Sequence, residues 1–161
     1  MLTYLPGSDW GQRCSSLMRR LSGAYSLTVL TKEGVMAIRD PLGVRPLCIG
    51  SLGKGWVIAS ETCALDHVGA KFIREVMPGE AIMVNSDGIK TIYQKPSNGR
   101  AASCIFENIY FARPDSSLDG KLVYTQRMEM GAELARKYPV EADLVIGIPD
   151  NATASAVGYS T

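Results

Sequence analysis

Between residues 24 and 93 the turn signals come so close together that the segment has few folding options. Ala24-Tyr-Ser-Leu-Thr-Val-Leu-Thr31 alternates and is rich in β-formers. Lys32-Glu-Gly34 turns the chain into Val35-Met-Ala-Ile38, and Pro41-Leu-Gly43 turns it again. Leu47-Cys-Ile-Gly50 and Trp56-Val-Ile-Ala59 are separated only by Gly53-Lys-Gly55 and its neighbours. Ala81-Ile-Met-Val84 and Ile89–Tyr93 flank Asn85-Ser-Asp-Gly88. A parallel pair needs a crossover of about a dozen residues or more, and these connections are too short for one. The pattern predicts sequential antiparallel hairpins over 24–93.

Two helices accompany the hairpins. Ser8 to Leu21 places Trp10, Cys14, Leu17 and Leu21 on one face, with Ser8 as the expected cap and Gly23 as the stop. A short helix is expected over Thr62–Val68, with Ser60 as its cap and Glu61 in its first turn.

After Pro96-Ser-Asn-Gly-Arg100, read as a loop, the character changes. An apolar and aromatic run, Cys104 to Ala112, ends in Arg113-Pro-Asp-Ser116. Lys121–Tyr138 is rich in helix formers and ends at Pro139. Leu144-Val-Ile-Gly-Ile148 is apolar throughout, as in a strand buried on both faces of a parallel sheet. Asn151–Tyr159 then reads as the loop and first turns of a helix. The expected class is therefore α+β followed by α/β. The domains are expected over 1–116 and 117–161.

Composition removes several function classes. Apolar residues are 46% and charged residues 20%, which excludes a disordered chain. Seventeen basic against sixteen acidic residues give a net charge of +1, so nothing draws the chain to nucleic acid or an anionic membrane. No apolar run reaches the roughly 18–20 residues of a membrane span. Met1–Pro6 is too short for a signal-peptide core and is soon followed by Asp9. The cysteines at 14, 48, 63 and 104 lack CxxC spacing, which points to a reducing, cytoplasmic compartment.

The chemical motifs are sparse. Arg39-Asp-Pro-Leu-Gly-Val-Arg-Pro-Leu47 reads first as a strand–turn–strand connection, with Pro41, Gly43 and Pro46 shaping it. It also sets Arg39, Asp40 and Arg45 as fixed charges that could border a ligand pocket. Pro78-Gly-Glu80 reads as a tight turn. Cys104 reads by default as a small buried residue. His67 has no catalytic partner in sequence, and no Ser–His–Asp set, HExxH, Walker loop or GxGxxG is present. Ile146-Gly-Ile-Pro-Asp150 before Asn151-Ala-Thr-Ala-Ser155 is a strand end, a small-residue loop and a helix start. That arrangement can aim backbone N–H groups at an anion, though many such turns hold none.

Taken in order, Gly23-Ala-Tyr-Ser26, the 39–47 motif, Ala59-Ser-Glu61, Pro78-Gly-Glu80, Phe106–Ser116 and Val145–Asp150 resemble the amidophosphoribosyltransferase family. These are the glutamine phosphoribosylpyrophosphate amidotransferases that open purine synthesis. The 39–47 and 59–61 elements are shared with other class II glutamine amidotransferases. The Phe106–Ser116 element with the following helix and Val145–Asp150 is the more specific part. The resemblance covers about 22–161. It implies the last part of an N-terminal-nucleophile glutaminase with two stacked antiparallel sheets, then the start of a phosphoribosyltransferase α/β domain.

The resemblance also implies two substrates in the full-length enzyme, glutamine and phosphoribosyl pyrophosphate, together with Mg2+ and a homo-oligomer. Such a glutaminase attacks with an amino-terminal cysteine, and here residue 1 is Met. The family's glutamine-binding residues are expected upstream of this stretch, and its ribose-binding Asp-Asp motif downstream. No catalytic residue is therefore assigned, and the expectation is an internal fragment, inactive alone. The alternative is a truncated non-catalytic copy that associates with full-length subunits. Cys104 matches a ligand of the 4Fe–4S cluster found in one branch, and Asn151 matches a position near magnesium. Arg39, Asp40 and Arg45 are expected to be architectural. Residues 1–21 match the family worst.

Overall fold

The hairpins fold as two antiparallel sheets. The computed structural model describes residues 2–96 and 101–161, so most of the loop expected at 96–100 lies outside the described residues. Strands β1 (Ser26–Leu30), β2 (Val35–Arg39), β3 (Cys48–Leu52), β4 (Gly55–Ala59), β5 (Lys71–Glu75), β6 (Glu80–Asn85) and β7 (Gly88–Gln94) make up both sheets. One sheet runs β1-β2-β6-β7 and the other β4-β3-β5. The pairing is antiparallel throughout, as the short connections require. The order is not simply sequential, because β2 pairs with β6 across the intervening β3–β5 excursion.

Apolar runs on β2 and β6 explain that pairing. Each strand has apolar side chains on both faces, so each needs cover on both sides. Met36, Ile38, Ala81 and Met83 point to one side and pack with Cys14, Leu17 and Met18 of helix α1 (Trp10–Arg20). Ala37, Ile82 and Val84 point to the other and pack against Leu47, Ile49 and Val76. Behind the second sheet, Cys48 packs with Leu65 of helix α2 (Thr62–His67) and with Ala70. The layers thus run helix, sheet, sheet, helix, with a core at each junction.

Several local expectations are corrected. Asp9, not Ser8, caps α1, and its carboxylate accepts from the Gln12 amide at 2.8 Å. Glu61, not Ser60, occupies the cap position of α2, with no side-chain cap bond. β5 was missed, since Lys71, Arg74 and Glu75 hide its strand character. Residues 1–21 are no loose appendage, because Cys14, Leu17 and Met18 are buried in the core.

A second compact unit spans Ile105–Thr161, after a first of Met1–Cys104. The structural division thus falls before the expected boundary at 116. The reason is local: Arg127 holds the carbonyls of Asn108 and Ala112, and Ala112, Leu118 and Val123 share one small core. Residues 105–116 therefore fold with the second unit. A π-helical turn (Glu107–Phe111) leads to a two-residue ladder between Ser117–Leu118 and Lys121–Leu122. Helices α3 (Val123–Lys137) and α4 (Ala152–Ser160) follow.

The strand expected at Leu144–Ile148 does not form. Leu144, Ile146 and Ile148 are 72%, 77% and 79% exposed. No neighbouring strand is present to receive them among the described residues. Among those residues no helix is long and apolar enough to cross a membrane.

Candidate functional site

The 39–47 motif folds inward. Arg39 closes β2 and is 7% exposed. Its Nε donates to the Arg45 carbonyl at 2.9 Å and its Nη2 to Gly43 O at 3.2 Å. Its Nη1 donates to Val76 O at 2.8 Å and pairs with the Glu75 carboxylate at 3.0 Å. Asp40 is fully buried, and its two oxygens accept the amides of Leu42 and Val44 at 2.9 and 3.0 Å. A short polar side chain that takes amides two and four residues ahead closes the turn on itself. Gly43 sits at φ +64°, and a Cβ there would lie 2.6 Å from the Pro78 ring. Arg39 and Asp40 thus spend their charge on holding the turn. Arg45 contributes its carbonyl to the knot, while its side chain is exposed. The architectural reading of the motif is the one the geometry supports.

The turn at Pro78-Gly-Glu80 holds more than its sequence suggests. Glu80 is 3% exposed. Arg74 of β5 grips its carboxylate with two nitrogens, at 2.7 and 2.9 Å. The Thr91 hydroxyl of β7 donates at 2.6 Å, and the Met77 amide at 2.8 Å. One carboxylate therefore bolts the two sheets together. Burial alone would raise its pKa, but the Arg74, Thr91 and Met77 hydrogen bonds hold it below the ordinary glutamate value.

The second unit contains the strand-exit turn singled out from sequence. Asn151 precedes α4, and its backbone is already helical, with φ −70° and ψ −34°. Its side chain does not cap the helix. Its Oδ1 instead accepts from Arg127 Nη1 at 3.3 Å. The turn is closed by Ala152 N to Ile148 O and Thr153 N to Asp150 O. The Pro149–Asp150 peptide is cis.

Among the described residues, no three or more His, Cys, Asp or Glu side chains gather where they could hold a metal ion. Cys104 is half-buried, and its backbone amide donates to Val44 O at 3.1 Å. A 4Fe–4S cluster takes about four thiolates, of which Cys104 would supply one. Cys14 and Cys48 are buried elsewhere, and burial pushes their thiols up to about 11 and about 12. Asn151 offers Mg2+ a single amide oxygen already engaged by a guanidinium, and so does not fit as a ligand. His67 is exposed on α2. An open cleft of about 550 Å3 runs beside α1 and β7, lined by residues including Gln12, Ser15, Arg19 and Tyr93. It brings no nucleophile and base together.

Comparison with known proteins agrees with the layered architecture. Residues 2–67 match the model of a glutamine amidotransferase domain. Amidophosphoribosyltransferase of Mycobacterium tuberculosis is 47% identical over 149 residues, covering 92% of this chain and 28% of the relative. That of Archaeoglobus fulgidus is 49% identical over 144 residues, covering 89% and 31%. A solved Bacillus subtilis glutamine phosphoribosylpyrophosphate amidotransferase, complexed with ADP and GMP, superposes with a TM-score of 0.89 at 39% identity. It covers 99% of this chain and 35% of its own. The chain belongs to the amidophosphoribosyltransferase family. It spans about a third of the length of the relatives it matches. The glutamine amidotransferase match begins at residue 2, so the family likeness takes in α1, which sequence reading had set apart.

Within that family, the first unit is the class II glutaminase fold: two antiparallel sheets between helices. The signals that sequence reading missed were Glu80 and Arg127, two charged residues in otherwise ordinary elements. Their only sequence mark is a charge inside a segment that must be buried.

Proposed function

We propose that the whole protein uses water to release ammonia from glutamine, leaving glutamate, and transfers that ammonia to phosphoribosyl pyrophosphate. Pyrophosphate leaves and 5-phosphoribosylamine forms, the first step of de novo purine (IMP) biosynthesis. One observation carries the reading. The likeness to amidophosphoribosyltransferases runs through both compact units, with 47% identity over 92% of the chain. A different class II amidotransferase would share the first unit alone.

In this reading the residues described here are scaffold. Arg39, Asp40 and Glu80 hold the glutaminase sheets, and the 148–152 turn faces the diphosphate of the second substrate. No residue of this chain is assigned as nucleophile, as ligand for the Mg2+ the family implies, or as ligand for a cluster. The enzyme is read as a cytoplasmic homo-oligomer, in keeping with four free thiols.

The test supplies the whole protein with glutamine, phosphoribosyl pyrophosphate and Mg2+. Glutamate and pyrophosphate should appear in equal amounts, with phosphoribosylamine as the trapped product. Glutamate without pyrophosphate would move the assignment to another amidotransferase. Neither product from a verified whole protein would end the enzyme reading.

A second reading is a non-catalytic copy that associates with full-length subunits. The exposed Leu144, Ile146 and Ile148 favour it, since an apolar run left in water seeks cover. It expects a native species of 17.4 kDa that co-elutes with full-length subunits, with its apolar-dye binding quenched on mixing.

A further inference from the structure

Arg127 is the largest fully buried side chain among the described residues, at 1% exposure. A guanidinium in that position is tolerated only where its donors are met by fixed acceptors. Nε donates to Asn108 O at 2.8 Å and Nη2 to Ala112 O at 2.8 Å. Those bonds tie α3 to the π-helical turn. Nη1 points in a different direction and donates to Asn151 Oδ1 at 3.3 Å, in the turn that begins α4. Asparagine is a favoured helix cap, yet Asn151 gives up that role to meet the guanidinium.

The rest of the contact is rigid. A Cβ on Gly131 of α3 would lie 1.9 Å from Ser155 O, and a Cβ on Gly158 of α4 would lie 1.9 Å from Met128 O. The two helices thus meet backbone to backbone at reciprocal glycines, which fixes α4 as a body. The glycines lie four residues or more from the 148–152 turn. That turn has its own backbone bonds, from Ala152 N to Ile148 O and from Thr153 N to Asp150 O, and the Arg127–Asn151 bond adds a side-chain tie from α3.

We propose that Arg127 is a positioning residue that fixes the 148–152 turn through Asn151 without touching substrate. This rests on the proposed transferase reading, in which that turn faces the diphosphate. It also replaces the magnesium role expected of Asn151. A guanidinium on the amide oxygen competes with a divalent cation for the same lone pairs and repels it.

The test uses the whole protein and three variants: Asn151→Ala, Arg127→Lys and the double substitution. Ammonia replaces glutamine as donor, so the glutaminase step is bypassed. Loss of a charge-assisted hydrogen bond should loosen the turn by about tenfold. Asn151→Ala should therefore speed amide exchange at Asp150–Thr153 about tenfold. It should raise KM for phosphoribosyl pyrophosphate by a similar factor, with kcat within about twofold. Exchange in β2 and β6 should be unchanged. Arg127→Lys should act the same way, and the double variant should be no worse than the worse single one, as for two halves of one link. Asn151→Ala keeps the proposal falsifiable should Arg127→Lys fail to fold.

Unchanged exchange at 150–153 in Asn151→Ala overturns the proposal, as does full additivity in the double variant. A raised Mg2+ requirement in Asn151→Ala also overturns it and restores the metal role. If the wild-type protein does not consume phosphoribosyl pyrophosphate, the transferase reading fails, and the exchange measurements still decide the link.

Discussion

The two compact units contain the same kind of sequence signal and treat it in opposite ways. Ala81–Val84 and Leu144–Ile148 are both unbroken apolar runs between polar residues. In the first unit the run becomes the buried middle of β6, covered by α1 on one face and by the second sheet on the other. In the second unit the run forms no strand and is largely exposed. An apolar run specifies a demand for cover on two faces. Whether the demand is met depends on partners elsewhere in the chain.

The comparison breaks first at charge. Replacing Arg39 with Met removes its ion pair with Glu75 and strips hydrogen bonds from three carbonyls inside the first unit. Breaking one side of a buried pair costs about 3–5 kcal/mol, and urea unfolding of the first unit should shift accordingly. A shift below about 1 kcal/mol would show that this interior is wet or loose, and the contrast between the units would weaken.

Next comes the matched pair of isoleucines. Ile82 is fully buried and Ile146 is 77% exposed. Ile82→Ala should destabilise by about 2–5 kcal/mol, from lost burial plus the cavity left behind. Ile146→Ala should stay within about 0.5 kcal/mol. An equal cost at both positions would mean that the 144–148 run is covered in solution, and a concentration-dependent cost at Ile146 would make the cover a second copy.

These pairs also show what was readable from sequence. The hairpins, their turns and all four helices followed from periodicity and turn chemistry, because those are local properties. The pairing of β2 with β6 did not, since only the two-faced burial of both strands chooses it. β5 was hidden by Lys71, Arg74 and Glu75, whose charges serve the β5 edge and the Glu80 bolt. The turn at 39–47 was legible from its Pro and Gly residues, but the burial of Arg39 and Asp40 within it was not, because it depends on the Glu75 and Val76 acceptors that β5 brings in. The Arg127–Asn151 link was not, because it joins residues 24 positions apart through side chains that each suit ordinary local roles.

A smaller effect separates buried from exposed ion pairs. Glu80 lies below its unfolded reference pKa of 4.5, since its hydrogen bonds outweigh burial. A carboxyl depressed in the folded state adds stability above the unfolded pKa and loses it as pH falls through the folded one. Glu80→Gln should therefore cost about 1–3 kcal/mol at pH 7 and flatten the stability curve below pH about 4.5. Arg74 is 36% exposed at its side chain, so solvent trims the Coulombic share. In the second unit, Glu133 sits in surface pairs with Arg136 and Lys137, and Glu133→Gln should leave the urea midpoint where it is. A cost at Glu133 matching that at Glu80 would erase the distinction.

The smallest expected effect probes how complete the first unit's interior is. The Tyr25 hydroxyl oxygen is buried without a hydrogen-bond partner, beside a core that otherwise satisfies its polar groups. Burial, with Asp40 and Cys14 nearby, pushes its pKa up to about 12. A hydroxyl stripped of water and given nothing in return opposes folding. Tyr25→Phe removes that penalty and keeps the ring, so stability should change by no more than about 0.5 kcal/mol, towards greater stability. The sign at high pH is also fixed. The unfolded chain releases this proton near the model value of 10.0 while the folded chain keeps it to about 12, so wild-type stability falls between those values. Tyr25→Phe should lose that fall, which urea midpoints at pH about 9 and about 11 would reveal. A destabilisation above about 1 kcal/mol would mean that the hydroxyl is paired in solution. The first unit's interior would then be fully satisfied at Tyr25, which would sharpen its contrast with the uncovered 144–148 run of the second.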